Sequence, residues 1–169
     1  MRERTVYFLG KVDEANMRGT LSGIQEISRA QKRKTIITLY VTSPGGYFPL
    51  AVAFYDLIRT EGTYLKTIAL GQVSSAAILI FLAGEKRLAS SHTRFHVHEM
   101  IRGWDSAEQL PLSDLEKVTA ETKAEQELMC KILAEGTGLP AEKWEEISRA
   151  ETFLTAQQAQ EYGLVHRII

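Results

Sequence analysis

The chain has 169 residues, is 44% hydrophobic, and carries a formal net charge of −1. That length and apolar content suit one domain, residues 1–169, with a sizeable core, and the balanced charge argues against nucleic acid or anionic membrane as a partner. The longest uninterrupted apolar run, 76–83, is far short of the roughly 20 residues needed to span a bilayer.

In chain order, residues 5–9 read as a strand and 13–30 as a helix weakened by Gly19 and Gly23. A β-branched strand at 35–41 breaks at Ser43-Pro44-Gly45-Gly46, and helical spacing resumes from Pro49, a residue suited to a first helical turn. Paired glycines let a backbone approach a ligand and aim N–H groups at it, although an ordinary strand-to-helix turn uses the same residues. A short strand at 66–70 closes at Gly71, and Ser75 stands at the corner before the run 76–83, which has no polar position. A helix there is buried on all sides. A serine at its start lies beside free backbone N–H groups, which suits either a nucleophile whose attack creates an oxyanion or a plain N-cap.

A strand at 86–89 follows, then the alternating stretch Arg94-Phe95-His96-Val97-His98-Glu99-Met100, with His98 as candidate base and His96 on the same face. His92, His96 and His98 also raise a metal reading, but no carboxylate-and-histidine helix motif accompanies them, so no metal or cofactor is expected. Ser113-x-x-Glu116 reads as a capping box opening a long helix to about residue 135. That helix is apolar at its ends and polar across 119–127, so its middle projects from the core, either solvated or covered by a partner. Cys130, the single cysteine, reads as a packing residue; it excludes an internal disulfide and suits a reducing cytoplasm. Met1-Arg2-Glu3-Arg4 shows no apolar signal core. Pro140 begins a short helix, Thr155-x-x-Gln158 caps another, and Gly163 ends it before a strand at 164–169 that holds His166. Strands alternating with helices imply an α/β layer fold of parallel strands and right-handed crossovers.

Four segments in register resemble the proteolytic subunit of the Clp protease family: Ser43-Pro44-Gly45-Gly46, Gly71-Gln72-x-x-Ser75, His98, and Phe153-Leu154-Thr155-Ala156 with Ala159-x-Glu161-Tyr162-Gly163-Leu164-Val165. The resemblance implies a Clp/crotonase-like fold of repeated ββα units whose projecting handle helix occupies 112–135 within a handle region of about 104–135. It implies a serine endopeptidase acting on peptides or unfolded proteins inside a homo-oligomeric chamber of two stacked heptameric rings, with an AAA+ unfoldase ATPase as a further partner. Site residues carried over are Ser75 as nucleophile, His98 as base, Glu151 at the orienting-acid position, and the backbone N–H groups of Gly46 and Ala76 as oxyanion donors. The family has aspartate where Glu151 stands; the added methylene displaces the carboxylate, and Glu145 and Glu146 are alternatives.

Two other departures bear on activity. Family members carry a segment ahead of the first strand that forms axial loops, whereas the strand here begins at about residue 5, so ATP-independent peptide hydrolysis is expected. After His98 the chain runs Glu99-Met100-Ile101-Arg102-Gly103-Trp104, so Arg102 and Trp104 are expected to narrow or recharge the peptide groove. A catalytically weak or regulatory paralogue and a crotonase-like acyl-CoA enzyme are the competing readings.

Overall fold

The computed structural model describes residues 3–29, 36–103 and 111–169. Trp104 and the start of the expected handle region lie outside them. Among the described residues the order is β1 (Glu3–Leu9), α1 (Glu14–Arg29), β2 (Ile36–Ser43), α2 (Phe48–Thr60), β3 (Leu65–Ser74), α3 (Ala77–Leu82), β4 (Lys86–Ala89), β5 (Arg94–Val97), α4 (Leu112–Thr137), α5 (Ala141–Arg149), β6 (Thr152–Thr155), α6 (Ala156–Glu161) and β7 (Arg167–Ile168). The fold is α/β. The strands β1-β2-β3-β4-β7 run parallel in that spatial order, as strand-helix-strand repetition requires.

One strand positions the site. The first half of β3 pairs with β4 through 66–69, and its second half pairs with β5 through 72–74. Gly71, at φ 63°, lies at the changeover, where a side chain would be strained. The expected strand 66–70 is therefore longer, because a change of partner lets it continue past a glycine that reads locally as a stop. Strand β6 adds antiparallel to β5, setting Phe153 opposite His96.

The apolar residues of the strands and of α3 form one hydrophobic cluster with α2, α5 and the end of α4. Every residue of α3 is at most 1% exposed, as its unbroken apolar run demands. Within α4, Met129, Cys130, Ile132 and Leu133 are buried, whereas Leu112, Leu115 and Leu128 stand 72%, 41% and 40% exposed. The helix thus anchors by its C-terminal turns and projects from them. Its start corrects the expected capping box: Pro111 is the N-cap, no side chain caps the helix, and Ser113 falls inside the first turn. Proline's fixed φ with an extended ψ supplies the entry geometry and leaves Ser113 two residues too late. The Thr155/Gln158 capping box forms at α6. The expected terminal strand shortens to β7, because the Leu164 and Val165 N–H groups both bond the Ala159 carbonyl.

Arg87 ties the end of the chain to this frame. Its side chain is buried and donates to the carbonyls of Gly84, Gly136, Gly163 and Leu164 at 3.3, 2.9, 3.0 and 2.8 Å. Burial lowers its pKa, and four carbonyl dipoles stand in for a counter-ion. Arg87→Met leaves these acceptors without their donor, so a loss of about 3 kcal/mol is expected. Urea unfolding at constant m-value measures it; an unchanged midpoint contradicts the role.

Candidate active site

The site forms where three turns meet. Ser75 follows β3 with a left-handed backbone, φ 54°, a costly conformation for a residue with a Cβ and one that cores hold in place at functional corners. Its N–H donates to the His96 carbonyl at 2.8 Å, which hangs the corner on β5. Ala76 then N-caps α3, and the apolar run begins with Ala77. Ser75 therefore sits outside the helix rather than in its first turn. Ser74 differs: it is 1% exposed and its hydroxyl accepts from Gln72 Nε2 at 2.7 Å.

The turn after β2 packs directly on this corner. A Cβ on Gly45 (φ 94°) would stand 2.8 Å from both the Ser74 carbonyl and Ser75 Cβ. One on Gly46 (φ 150°) would overlap the backbone of Val12, whose N–H and carbonyl are bonded to Gly45 and Tyr47. Only glycine fits either place. The Gly45 N–H is taken by Ser43 Oγ at 3.1 Å. The N–H groups of Gly46 and Ala76, by contrast, have no acceptor among the described residues.

Ser75, Gly46 and His98 line one cavity of about 290 Å³, together with Met100, Arg102 and Glu125. Ser75 and His98 are not hydrogen-bonded to each other, which is common in an empty site. His98 Nδ1 lies 2.6 Å from the carbonyl oxygen of Glu99. A carbonyl only accepts, so Nδ1 carries the proton and Nε2 is left with its lone pair. Neighbouring His96 lies flat on Phe153, with ring centroids 3.9 Å apart, and 5.0 Å from the His98 ring. Burial lowers the His96 pKa, proximity to His98 lowers it further, and the Glu151 charge opposes both.

The carboxylates are arranged differently from the bare sequence order. Glu151 follows α5 with φ 47° and is exposed; its N–H donates to the Ser148 carbonyl at 3.0 Å, while its carboxylate forms no hydrogen bond or ion pair among the described residues. Its charge is felt at His96. Glu145 is bonded to Arg149 at 2.6 Å and Glu146 to Lys143 at 2.8 Å, both on the surface of α5. Arg102 reaches the cavity, but its charge is spoken for: it bonds Thr122 Oγ1 at 3.0 Å and Glu125 Oε2 at 2.7 Å. Sequence reading passed over Glu125 and Gln126, since both lie in a polar stretch of α4 where nothing local marks one residue from the next. Among the described residues no three His, Cys, Asp or Glu side chains gather as metal ligands, and no helix is long and apolar enough to cross a membrane.

Comparison with known proteins finds similarity along the whole chain. The family model described as Clp protease matches residues 1–169. The chain is 32% identical over 170 residues to the ATP-dependent Clp protease proteolytic subunit 1 of Rhodococcus jostii, covering 99% of this chain and 76% of that protein. It is 32% identical to the proteolytic subunit 2 of Corynebacterium jeikeium, covering 98% and 79%, and 30% identical to the proteolytic subunit of Dehalococcoides mccartyi, covering 100% and 83%. Among solved structures, a mutant ClpP1 from Listeria monocytogenes superposes with a TM-score of 0.84 at 25% identity, covering 98% of this chain and 91% of that one. A family model matched over the whole chain, with relatives at 30–32% identity, shows that the chain belongs to the Clp protease family.

Proposed function

We propose that this chain is a serine endopeptidase subunit that cleaves peptides inside an oligomeric chamber, with Ser75 as nucleophile and His98 as base. The observation that carries the reading is the left-handed Ser75 corner opening into the cavity shared with His98, beside two N–H groups without acceptors. Ser75 Oγ attacks the peptide carbonyl as its proton passes to His98 Nε2, the nitrogen left free by the Nδ1 bond. The developing oxyanion takes hydrogen bonds from the Gly46 and Ala76 N–H groups, each worth roughly 3–4 kcal/mol of barrier. The leaving amine regains the proton from His98, and water then cleaves the acyl-enzyme by the same route in reverse. Glu151 stands at the orienting-acid position, with its charge felt at the neighbouring His96.

The exposed half of α4 supports assembly through this helix, in the arrangement of two stacked heptameric rings. Substrate chains would be fed by an ATP-driven unfoldase, since relatives carry the name ATP-dependent Clp protease. A buried free thiol, Cys130, suits a cytoplasmic setting.

Three measurements test the reading. A fluorophosphonate probe is expected to label wild type and Ser74→Ala but not Ser75→Ala; labelling that survives in Ser75→Ala removes Ser75 as nucleophile. A catalytically silent paralogue would give no labelling at all. Sedimentation is expected to show a particle many times the monomer mass, against which a clean micromolar monomer would count.

The third concerns pH. The base must be neutral imidazole, so peptide hydrolysis falls in acid. Stability falls too. The lowered His96 pKa means the unfolded chain binds more protons than the folded one below about pH 6.5. The stability due to a neutral His96 is therefore intact above that pH and is lost as pH drops through the lower folded value. A smaller urea midpoint at pH 5.5 than at pH 7.5 is expected, with the difference reduced in His96→Phe; equal shifts in both proteins refute it.

A further inference from the structure

We propose that Gln126, on the projecting helix, is a positioning residue for His98, acting through the peptide unit between Glu99 and Met100. The peptide has two polar groups on opposite sides, and both are engaged. Its carbonyl accepts from His98 Nδ1 at 2.6 Å, and its N–H donates to Gln126 Oε1 at 2.8 Å. The plane of that peptide decides where the carbonyl points, and among the described residues the side chain holding the plane is Gln126. The glutamine is itself oriented: its Nε2 donates to Cys130 Sγ at 3.3 Å, one turn further along α4, where Cys130 is buried. A continuous chain of hydrogen bonds therefore runs from the anchored part of α4 to the ring of the base. Accepting the N–H also polarises the amide and strengthens its carbonyl as an acceptor.

The consequence is tautomeric. A proton fixed on Nδ1 leaves Nε2 of the neutral ring as the acceptor, the tautomer that proton transfer from Ser75 requires. In a Ser-His-acid site this task falls to the carboxylate, yet that of Glu151 makes no hydrogen bond among the described residues, and Glu145 and Glu146 are paired on the surface of α5. The backbone carbonyl of Glu99 does the orienting, Gln126 holds it, and Glu151 supplies charge at longer range. A neighbouring tie strengthens the assignment: Arg102, two residues past Met100, is fixed to Thr122 and Glu125 of the same helix, so the segment after the base is held at two points.

The inference rests on the peptidase reading above, and the experiment separates the two. Gln126→Ala, Gln126→Glu and Glu151→Gln are compared with wild type in the assembled oligomer. Readouts are kcat and KM for a short peptide and the ring ¹⁵N spectrum of labelled histidine, which tells Nδ1–H from Nε2–H. Alanine is a good helix former at this partly buried position, so the fold is retained. The expected result for Gln126→Ala is a kcat lower by between about tenfold and a hundredfold with KM little changed. The His98 ring moves from the Nδ1–H form to a mixture. Gln126→Glu, which keeps an oxygen for the Met100 N–H, restores both readouts, and Glu151→Gln costs less than Gln126→Ala and leaves the tautomer alone. An unchanged tautomer in Gln126→Ala, or a tautomer change produced by Glu151→Gln alone, overturns the proposal. If wild type neither hydrolyses peptide nor takes the probe, the peptidase reading fails, while the spectrum still decides whether Gln126 sets the ring.

Discussion

The structure depends on one close approach: the Gly45-Gly46 turn wedged between the Val12 backbone and the Ser75 corner. Neither glycine could carry a Cβ, because the space on one side is filled by Ser74 and Ser75 and on the other by Val12. The contact joins three crossover turns, after β1, β2 and β3, at one edge of the sheet. It also fixes the free Gly46 N–H relative to the serine hydroxyl. A left-handed serine is strained by itself; here the neighbouring turn leaves it no alternative conformation, which is how folds retain strain at reactive positions.

Ser75 and His98, the proposed nucleophile and base, are placed by strand pairing rather than by side-chain contact. Ser74 pairs with His96 across β3 and β5, and the Ser75 N–H continues that ladder to the His96 carbonyl. His98 is then two residues on along the same face. Because backbone hydrogen bonds set this register, the distance between the two groups varies little with the identity of the surrounding side chains. The change of partner along β3 makes room for it: β4 occupies the first half of the strand and β5 the second, leaving the cavity at the carboxyl ends, where open parallel sheets bind ligands.

Much of this was legible in the sequence, and the parts that were not share a cause. The buried α3, the Pro-Gly-Gly turn, the Thr155/Gln158 box and the alternation of β5 are local patterns, readable from spacing alone. The continuation of β3 beyond Gly71 depends on pairing with β5, whose residues 94–96 lie 22 positions further along the chain, so a strand-ending glycine misleads. The capping box at Ser113 fits the motif, but Pro111 enters the helix first. The position of Glu151 could be read by alignment with family motifs, while the direction of its side chain depends on a left-handed backbone after α5 that no propensity assigns to glutamate. Gln126 is the extreme case. Its significance lies wholly in which peptide it meets, and one more polar residue on a polar helix face carries no local mark.

The projecting half of α4 has a thermodynamic consequence. From Leu112 to Leu128 it packs on little of its own subunit, and the surface ion pair between Asp114 and Lys117 adds only tenths of a kcal/mol. Helical turns without tertiary packing are marginal in water. In a free subunit these turns therefore open more readily than the buried C-terminal turns of α4, and their amide protons exchange faster. Any surface that covers them must spend part of its binding free energy on ordering them, so association here is weaker and more cooperative than the contact area alone implies. Met100 and Arg102 hang from the same helix, and the loop beside the reactive histidine becomes as well ordered as the helix is. Where a second subunit covers this helix, dilution loosens the loop beside His98 before any peptide bond or side chain has changed.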